Sequence, residues 1–370
     1  MSYEGKNLET IALHTGWRND ENTGSVAVPI HQTTSYQFND TAHAASLFGL
    51  QEFGNIYTRI MNPTCDVLEQ RMAALDGGVA GLAVASGQTA SAYSIQNVAR
   101  AGDNIVSSAH LYGGTYNQFK NNMREMGIEV RFVDPTDPNS FESATDEKTR
   151  AYFAETLPNP KLQVFPIAEV ADIGRKHGIP LIVDNTAAPV LCRPFDHGAA
   201  VLIHSTTKYL GGHSDIIGGA VVGRADLIEK MFIKKVHFGG SPDPHNCYLL
   251  ERGIRTLAAR MPIHCSNAAE IAKRLEGHEL IDIVHHPSLS THKDYELAKR
   301  IIPKGTGMIA FTVKGGDEAA LKFMRGLEII FEATSLGGVE SLVECPFNSS
   351  HMFIPEDVRI AAGLGRGFVR

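Results

Sequence analysis

The residues that stand out for their chemistry are a carboxylate, a lysine and a helix start, each placed after an apolar run. Asp184 ends the run PLIVD, Lys208 stands four residues after the run VLIH, and Gly87 and Gln88 open a helical stretch after LAVA. Short apolar runs bounded by polar residues are typical of strands buried in a parallel sheet. Because ligands bind beyond the carboxyl ends of such strands, we expect these residues at one edge of the sheet.

This set matches the needs of pyridoxal phosphate. A lysine amine can bind the cofactor's aldehyde covalently, and a carboxylate can keep the pyridine nitrogen protonated, which makes the ring an electron sink. The free N–H groups of a helix start and the hydroxyls of Ser205 and Thr207 can bind the phosphate. Taken singly, Asp184 could be a helix cap and Lys208 a surface lysine, so this interpretation depends on their conjunction.

Other catalytic motifs do not occur in the sequence. No G-x-G-x-x-G follows a strand, and G-x-x-x-x-G-K-[ST], H-E-x-x-H and G-x-S-x-G are all missing. His285, His286 and His292, in HHPSLSTH, have no carboxylate interleaved at ligand spacing. We therefore predict a solvated loop there and no metal site.

The cysteine pattern disfavours disulfides and structural zinc. The five cysteines are scattered without a C-x-x-C pair, at Cys65, Cys192, Cys247, Cys265 and Cys345. We predict that they are small, buried, apolar side chains.

Composition narrows the class of protein. The chain has 370 residues, 43% of them hydrophobic, and a net charge of −7. That charge disfavours a nucleic-acid-binding surface, and no apolar run reaches the ~18 residues of a membrane-spanning helix. The start MSYEGKNLETIALHTGW does not have the pattern of a secretion signal. We expect a cytoplasmic globular protein that binds neither nucleic acid nor membranes.

Strands and helices alternate through the middle of the chain. The patterns predict strands over 82–85, 104–106, 129–133, 151–154, 180–183, 202–204 and 220–222, with helices over 65–75, from 88, over 116–126 and over 164–177. This alternation predicts an α/β fold in which helices cover both faces of a mainly parallel sheet.

The chain divides into three segments. Residues 1–60 are polar and weakly periodic, and we interpret them as an N-terminal arm with little core of its own. Residues 61–248 form the predicted cofactor-binding domain, and residues 249–370 form a smaller α+β domain. We expect one long helix over 247–276, which Pro262 could kink, followed by strands over 281–284, 308–313 and 329–331 and a helix over 318–327.

Seven stretches resemble the pyridoxal-phosphate enzymes of cysteine and methionine metabolism, the transsulfuration family. They are GNIYTRIMNPT (54–64), ASGQTA (85–90), LYGGTY (111–116), ETLPNP (155–160), IVDNT (182–186), HSTTKYLGGHSD (204–215) and TSLGGVES (334–341). They follow the family's order over essentially the whole chain. The resemblance implies an aspartate-aminotransferase-like fold (fold type I) and a homo-oligomer, as a dimer of dimers.

The resemblance also implies a role for each matching residue. Lys208 would bind the cofactor and act as general acid and base, Asp184 would pair with the pyridinium, and Tyr112 would stack on the ring. Asn159 would lie near the ring oxygen. The phosphate ligands would be Gly87, Gln88, Ser205 and Thr207, with Tyr57 and Arg59 reaching in from the neighbouring subunit. Gln88 departs from the Met that the family often has.

The substrate carboxylate would be held by Ser335 and Arg370, with Tyr57 also near the substrate. Arg offers the bidentate geometry that a carboxylate prefers. The family normally continues beyond the arginine that Arg370 matches, so we expect a truncated end. A terminal arginine would then be poorly held.

Three of these assignments have a plain alternative. Tyr112 could be a core tyrosine and Asn159 a turn residue, and Tyr57 with Arg59 could form a solvated loop.

The resemblance leaves several reactions open. An amino acid that loses its γ-substituent can take up sulfide or a thiol, as in sulfhydrylases, or cysteine, as in cystathionine γ-synthases. It can also decay to a 2-oxo acid and ammonia, as in cystathionine and methionine γ-lyases. LFGLQEFGNIYTRIMNPT, ETLPNPKLQVFPI, Gly114 and Thr334 favour O-acetylhomoserine sulfhydrylase, whereas HSDIIGGAVVG, SLGGVES and the short segment 223–246 resemble the cystathionine enzymes.

Overall fold

A seven-stranded sheet forms the centre of the protein. The computed structural model describes residues 5–352, 354–361 and 363–370. In chain order the strands of this sheet are β1 (Ala80–Val84), β2 (Asn104–Ser108), β3 (Glu129–Val133), β4 (Thr149–Glu155), β5 (Leu181–Asp184), β6 (Val201–Ser205) and β7 (Gly219–Gly223). Their order across the sheet is β1-β7-β6-β5-β4-β2-β3. β7 is antiparallel to β1 and β6, and the other neighbours are parallel. The carboxyl ends of β1, β4, β5 and β6 therefore meet at one edge, as predicted.

Helices cover both faces of this sheet. The helices are α1 (Leu8–His14), α2 (Thr41–Phe48), α3 (Pro63–Asp76), α4 (Gly87–Val98), α5 (Gly113–Asn117), α6 (Pro138–Ser143), α7 (Ile167–His177), α8 (Ala225–Phe238), α9 (Pro244–Ile254), α10 (Leu257–Leu275), α11 (Tyr295–Ile301), α12 (Gly316–Arg325) and α13 (Glu356–Ala361). α3 and α7 pack on the face that buries Val183 and Leu202, and α4 and α8 pack on the face that buries Val84 and Ile203. This arrangement confirms the predicted fold class. Within the described ranges, no helix is long and apolar enough to cross a membrane.

The prediction of one long helix over 247–276 was wrong. α9 ends at Ile254 and α10 begins at Leu257, while Pro262 lies inside α10. The Arg260 guanidinium donates to the Gly253 carbonyl at 2.8 Å. A Cβ on Gly253 would lie 2.2 Å from the Gly211 carbonyl oxygen. The break therefore follows from the close packing of α9 against the loop after Lys208, which no local pattern reveals.

The smaller C-terminal part contains two further sheets. β8 (Ile281–His285), β9 (Ala310–Val313) and β12 (Phe368–Val369) form an antiparallel sheet in the order β12-β9-β8. β10 (Phe331–Glu332) and β11 (Leu342–Val343) form a short parallel pair. α10 and α12 pack on this part. The division that we proposed between residues 248 and 249 falls inside α9.

The N-terminal arm is anchored at one point and exposed at another. α1 packs against α3 and α10, and Ala12 is fully buried there. Around the end of α2, by contrast, Phe48, Leu50 and Phe53 are 64%, 74% and 93% exposed.

The cysteine prediction is confirmed, since all five cysteines are free and buried.

The prediction of a solvated histidine loop was wrong. His286 is fully buried and His292 is 7% exposed, and the His286 ring bonds to the Ser288 hydroxyl at 2.7 Å and to the Thr306 carbonyl at 3.0 Å. Burial lowers the pKa of both imidazoles, so both histidines are neutral interior residues. His286 also joins this loop to the turn before β9.

Candidate active site at the carboxyl edge of the sheet

Lys208 lies in the turn after β6. Its Nζ donates to Ser335 Oγ at 2.8 Å, and the Gly212 N–H donates to the Lys208 carbonyl at 2.8 Å, which closes the turn. Burial lowers the pKa of Lys208, and the positive charge of Arg370 lowers it further. An amine that loses its proton more easily is better suited to act as nucleophile and base.

Asp184 is the last residue of β5. β5 is the direct neighbour of β6, the strand that precedes Lys208. Its Oδ1 accepts from the Thr186 N–H at 2.9 Å. Burial raises the pKa of the Asp184 carboxyl. A buried carboxylate with a raised pKa is stabilised by a cation placed beside it, so this position suits a partner that carries a protonated nitrogen.

A second carboxylate, Glu155, stands beside Asp184 and is itself buried. Glu155 ends β4 and is the register partner of Asp184 across the two strands. Its Oε1 accepts from the Tyr112 N–H at 2.6 Å, and its Oε2 accepts from the Asn159 N–H at 3.3 Å. Burial, together with the charge of Asp184, raises the pKa of Glu155 to about 8. One carboxyl group therefore fixes the backbone of two predicted site residues.

Tyr112 stands at the start of α5 with its side chain 43% exposed. This exposure excludes the alternative of a core tyrosine. The start of α5 is joined to the start of α4 because Gln88 Nε2 donates to Thr115 Oγ1 at 3.0 Å. The ring of Tyr112 is therefore available to a ligand, on a backbone held by Glu155.

The start of α4 lies against the turn that carries Lys208. Ser86 caps α4, since its Oγ accepts from the Thr89 N–H at 3.1 Å. A Cβ on Gly87 would lie 2.7 Å from Ser205 Cβ, so the helix start and Ser205 are in close contact. Thr207 Oγ1 accepts from the Gly218 N–H at 3.0 Å. Because helix starts carry N–H groups without intrahelical partners and a positive dipole, this arrangement suits a phosphate.

Arg370 is firmly held, and the expectation of a poorly held terminal arginine was wrong. Its side chain is 8% exposed and forms an ion pair with Glu344 Oε1 at 2.7 Å. Nη1 donates to Asn159 Oδ1 at 2.8 Å, and Nη2 donates to the Ser335 carbonyl at 2.6 Å. The backbone of Arg370 follows β12 directly and bonds to that of Glu344. Asn159, Ser335 and Arg370 thus meet beside Lys208.

Tyr57 and Arg59 lie away from this group within the chain. Arg59 Nη1 donates to the Val236 carbonyl in α8, and its carbonyl accepts from the Ser241 hydroxyl at 3.4 Å. The Arg59 guanidinium lies 5.6 Å from the centre of the Tyr57 ring. Both side chains are exposed. The structure of a single chain does not bring them to the turn after β6.

Two site residues, Glu155 and Glu344, were missed in the sequence. Glu155 stands inside the quoted stretch ETLPNP, at the end of a predicted strand, and its position was therefore a usable signal. Glu344 follows the short strand β11 and belongs to none of the seven stretches that resemble the family.

Comparison with known proteins agrees with this geometry. The family model described as "Cys/Met metabolism PLP-dependent enzyme" matches residues 9–370. The O-acetyl-L-homoserine sulfhydrylase of Leptospira meyeri is 43% identical over 405 aligned positions, which cover 98% of this chain and 92% of that protein. The L-methionine gamma-lyase of Pseudomonas putida is 38% identical over 364 positions, which cover 98% and 92% of the two chains.

Solved structures agree as well. The structure of metY from Campylobacter jejuni, which contains N'-pyridoxyl-lysine-5'-monophosphate, has a TM-score of 0.93 and 34% sequence identity. The match covers 98% of this chain and 94% of that one.

Proposed function

Because the chain belongs to the pyridoxal-phosphate-dependent enzymes of Cys/Met metabolism, we propose that it catalyses γ-replacement on O-acetylhomoserine. Sulfide or a thiol would be the second substrate, and homocysteine or a thioether the product. The observation that carries this proposal is the contact between Lys208 Nζ and Ser335 Oγ at 2.8 Å, beside the guanidinium that the Ser335 carbonyl holds at 2.6 Å. A base beside a carboxylate receptor is what chemistry at the Cα of an amino acid requires.

The residues of this edge fit pyridoxal phosphate. Asp184 is a half-buried carboxyl group whose raised pKa indicates that a cation beside it would be stabilising, and a protonated pyridine nitrogen supplies that cation. The N-terminus of α4, Ser205 and Thr207 would hold the phosphate, and Lys208 would hold the aldehyde carbon. When bound, the cofactor supplies an electron sink for the negative charge left at Cα and Cβ of the amino acid.

Lys208 would move the protons. Its amine, with a pKa lowered by burial and by Arg370, would take the proton from Cα. It would also take a proton from Cβ and later return it, while at Cγ the acetate group leaves and the sulfur nucleophile takes its place. Tyr112, exposed at the start of α5, would keep the reacting ring in place by stacking.

Arg370 and Ser335 would bind the substrate carboxylate, and Asn159 would lie near the cofactor's ring oxygen. Arg370 reaches both other residues directly, through the Ser335 carbonyl and Asn159 Oδ1. A receptor that is already oriented loses less entropy when the substrate binds.

Gly114 and Thr334 favour a small sulfur donor. A Cβ on Gly114 would lie 2.5 Å from Tyr112 Cε1, so the absence of a side chain there leaves the tyrosine ring in its position. Thr334, exposed next to Ser335, offers no charge to bind the distal ammonium group of cysteine or cystathionine. Acetate is also a better leaving group than a thiolate.

One observation favours a γ-lyase as the second candidate. The alignment with the sulfhydrylase of Leptospira meyeri runs over 405 positions, more than the 370 residues of this chain, so that relative has segments that are missing here. The alignment with the methionine gamma-lyase of Pseudomonas putida, over 364 positions, needs no such segments. The assay must therefore distinguish γ-replacement on O-acetylhomoserine from γ-lyase and cystathionine γ-synthase activity.

We further propose that the active unit is a cytoplasmic homotetramer, built as a dimer of dimers. Tyr57 and Arg59, on the exposed N-terminal arm, would complete the phosphate site of the partner. We also propose, separately, that the cofactor-binding domain ends at residue 248 and the C-terminal domain begins at residue 249.

A competition assay tests the reaction. The purified protein receives O-acetylhomoserine with sulfide, O-succinylhomoserine with cysteine, and cystathionine or methionine alone. Homocysteine as the dominant product of the first mixture supports the proposal. Dominant 2-oxobutyrate from cystathionine or methionine would make the protein a γ-lyase, and dominant cystathionine from the second mixture would make it a γ-synthase.

A further inference from the structure

The guanidinium of Arg370 is already paired with a carboxylate of its own chain. Glu344 Oε1 lies 2.7 Å from Arg370 Nη2, with the two side chains 4% and 8% exposed. The same two residues also bond through their backbones. The Arg370 N–H donates to the Glu344 carbonyl at 3.0 Å, and the Glu344 N–H donates to the Arg370 carbonyl at 3.0 Å. The pair is therefore fixed at both its main chains and its side chains.

Hydroxyl groups orient the carboxylate of Glu344. The Ser349 hydroxyl donates to Oε2 at 3.0 Å, and the Ser350 hydroxyl donates to Oε1 at 3.2 Å. Hydrogen bonds to both oxygens of a buried carboxylate fix its direction. Glu344 thus presents a fixed negative charge to Arg370.

This pairing changes what an incoming carboxylate meets. An isolated buried arginine would attract an anion strongly, because the low dielectric of the interior enhances the interaction. Arg370 together with Glu344 carries no net charge. The two residues also act in opposite directions on the neighbouring lysine, since Arg370 lowers the pKa of Lys208 and Glu344 raises it.

We propose that Glu344 is a positioning residue that holds the Arg370 guanidinium in place and offsets part of its charge, so that the substrate carboxylate binds in a fixed orientation but releases readily. The inference rests on the proposed role of Arg370 as carboxylate receptor. It does not depend on which γ-substituent leaves or which sulfur donor reacts.

Two substitutions of Glu344 separate its effect on the orientation of the Arg370 guanidinium from the effect of its negative charge. Glu344→Gln keeps an oxygen that can accept from Arg370 and removes the negative charge, so a carboxylate ligand should bind about tenfold more tightly. Glu344→Ala removes both, and the guanidinium loses its orientation, so the same ligand should bind at least tenfold more weakly. A merely structural role would move both variants in the same direction.

The assay is ligand binding to the holoenzyme, followed by the change in the visible absorbance of the cofactor. L-Alanine serves as the probe with a carboxylate and no γ-substituent, and ethylamine serves as the probe without a carboxylate. Ethylamine affinity should stay within about twofold of the wild type in both variants. The matched control is Glu340→Gln, on the same segment, whose carboxylate bonds to the Ser214 hydroxyl instead; its alanine affinity should equal that of the wild type.

Tighter alanine binding in Glu344→Gln with unchanged ethylamine binding supports the proposal, and this arm decides alone if Glu344→Ala does not fold. Unchanged or weaker alanine binding in Glu344→Gln overturns it. Equal changes for alanine and ethylamine also overturn it, because Arg370 would then not be the carboxylate receptor. Failure of the γ-replacement proposal would be seen separately, in the products of the competition assay.

Discussion

Replacing Gly87 by alanine places a methyl group against the predicted phosphate site. The new Cβ would lie 2.7 Å from Ser205 Cβ and 3.0 Å from Ser205 Cα. Ordinary contacts between such atoms begin near 3.4 Å, so the start of α4 and the end of β6 must separate by about 0.7 Å. Inserting a methyl group into a well-packed site costs about 1–3 kcal/mol.

The displacement weakens cofactor binding to the extent that it moves the N–H groups of the helix start away from the phosphate. If the start of α4 withdraws from the phosphate, pyridoxal phosphate should bind about 5- to 150-fold more weakly, since each ~1.4 kcal/mol is a factor of ten. The measurement is a titration of the apoprotein with pyridoxal phosphate, followed by visible absorbance, together with the Tm of the apoprotein.

The control for this substitution is Gly326→Ala. Gly326 follows α12 with φ −84°, and a Cβ there would make its nearest contact at 3.4 Å, an ordinary distance. The control should leave cofactor affinity unchanged. Wild-type cofactor affinity in a Gly87→Ala protein whose Tm is lowered would refute the assignment of α4 and Ser205 to the phosphate, because the strain would then leave the binding site untouched.

Three further predictions follow from the same site. Asp184→Asn keeps the shape of the side chain and removes its charge, so exchange of the substrate α-proton, measured by NMR, should slow by several powers of ten. Mixing Arg59→Ala with Lys208→Ala should restore part of the activity, because one site of the hybrid dimer would carry both wild-type residues. In the apoprotein, the raised pKa of Glu155 means that the folded state keeps a proton that the unfolded chain releases near pH 4.5. The stability from this proton is complete below pH 4.5 and is lost as pH rises to about 8, so the Tm of Glu155→Gln should fall less over that interval.

Each of these has a contradicting outcome. Wild-type α-proton exchange in Asp184→Asn would reduce Asp184 to a turn residue. No recovery in the mixing experiment, with subunit exchange shown by mass spectrometry, would argue against a shared site. An unchanged dependence of Tm on pH in Glu155→Gln would mean that another group controls it.

The sequence alone was sufficient to predict that Asp184 and Lys208 lie at the carboxyl edge of the sheet. Asp184 and Lys208 follow strands whose residues are almost all buried, and buried parallel strands are visible as short apolar runs. Once the strands were placed, topology alone brought these two residues to the same edge. Local patterns therefore predicted the part of the site that depends on strand ends.

Other parts depend on contacts between distant segments. The helix break before Leu257 arises from the close approach of Gly253 to Gly211, and the fixed position of Arg370 arises from Glu344. The fully buried ring of His286 bonds to the Thr306 carbonyl. None of these partners is near its residue in the sequence, so periodicity and turn signals contain no information about them.

The most direct test of the proposed active site is to find which lysine binds the cofactor covalently. The holoenzyme is reduced with borohydride, digested, and examined by peptide mass spectrometry. We expect a single pyridoxyl-phosphate modification, on Lys208, in the peptide that follows β6. Modification of a different lysine, or a holoenzyme that yields no modified peptide, would contradict it.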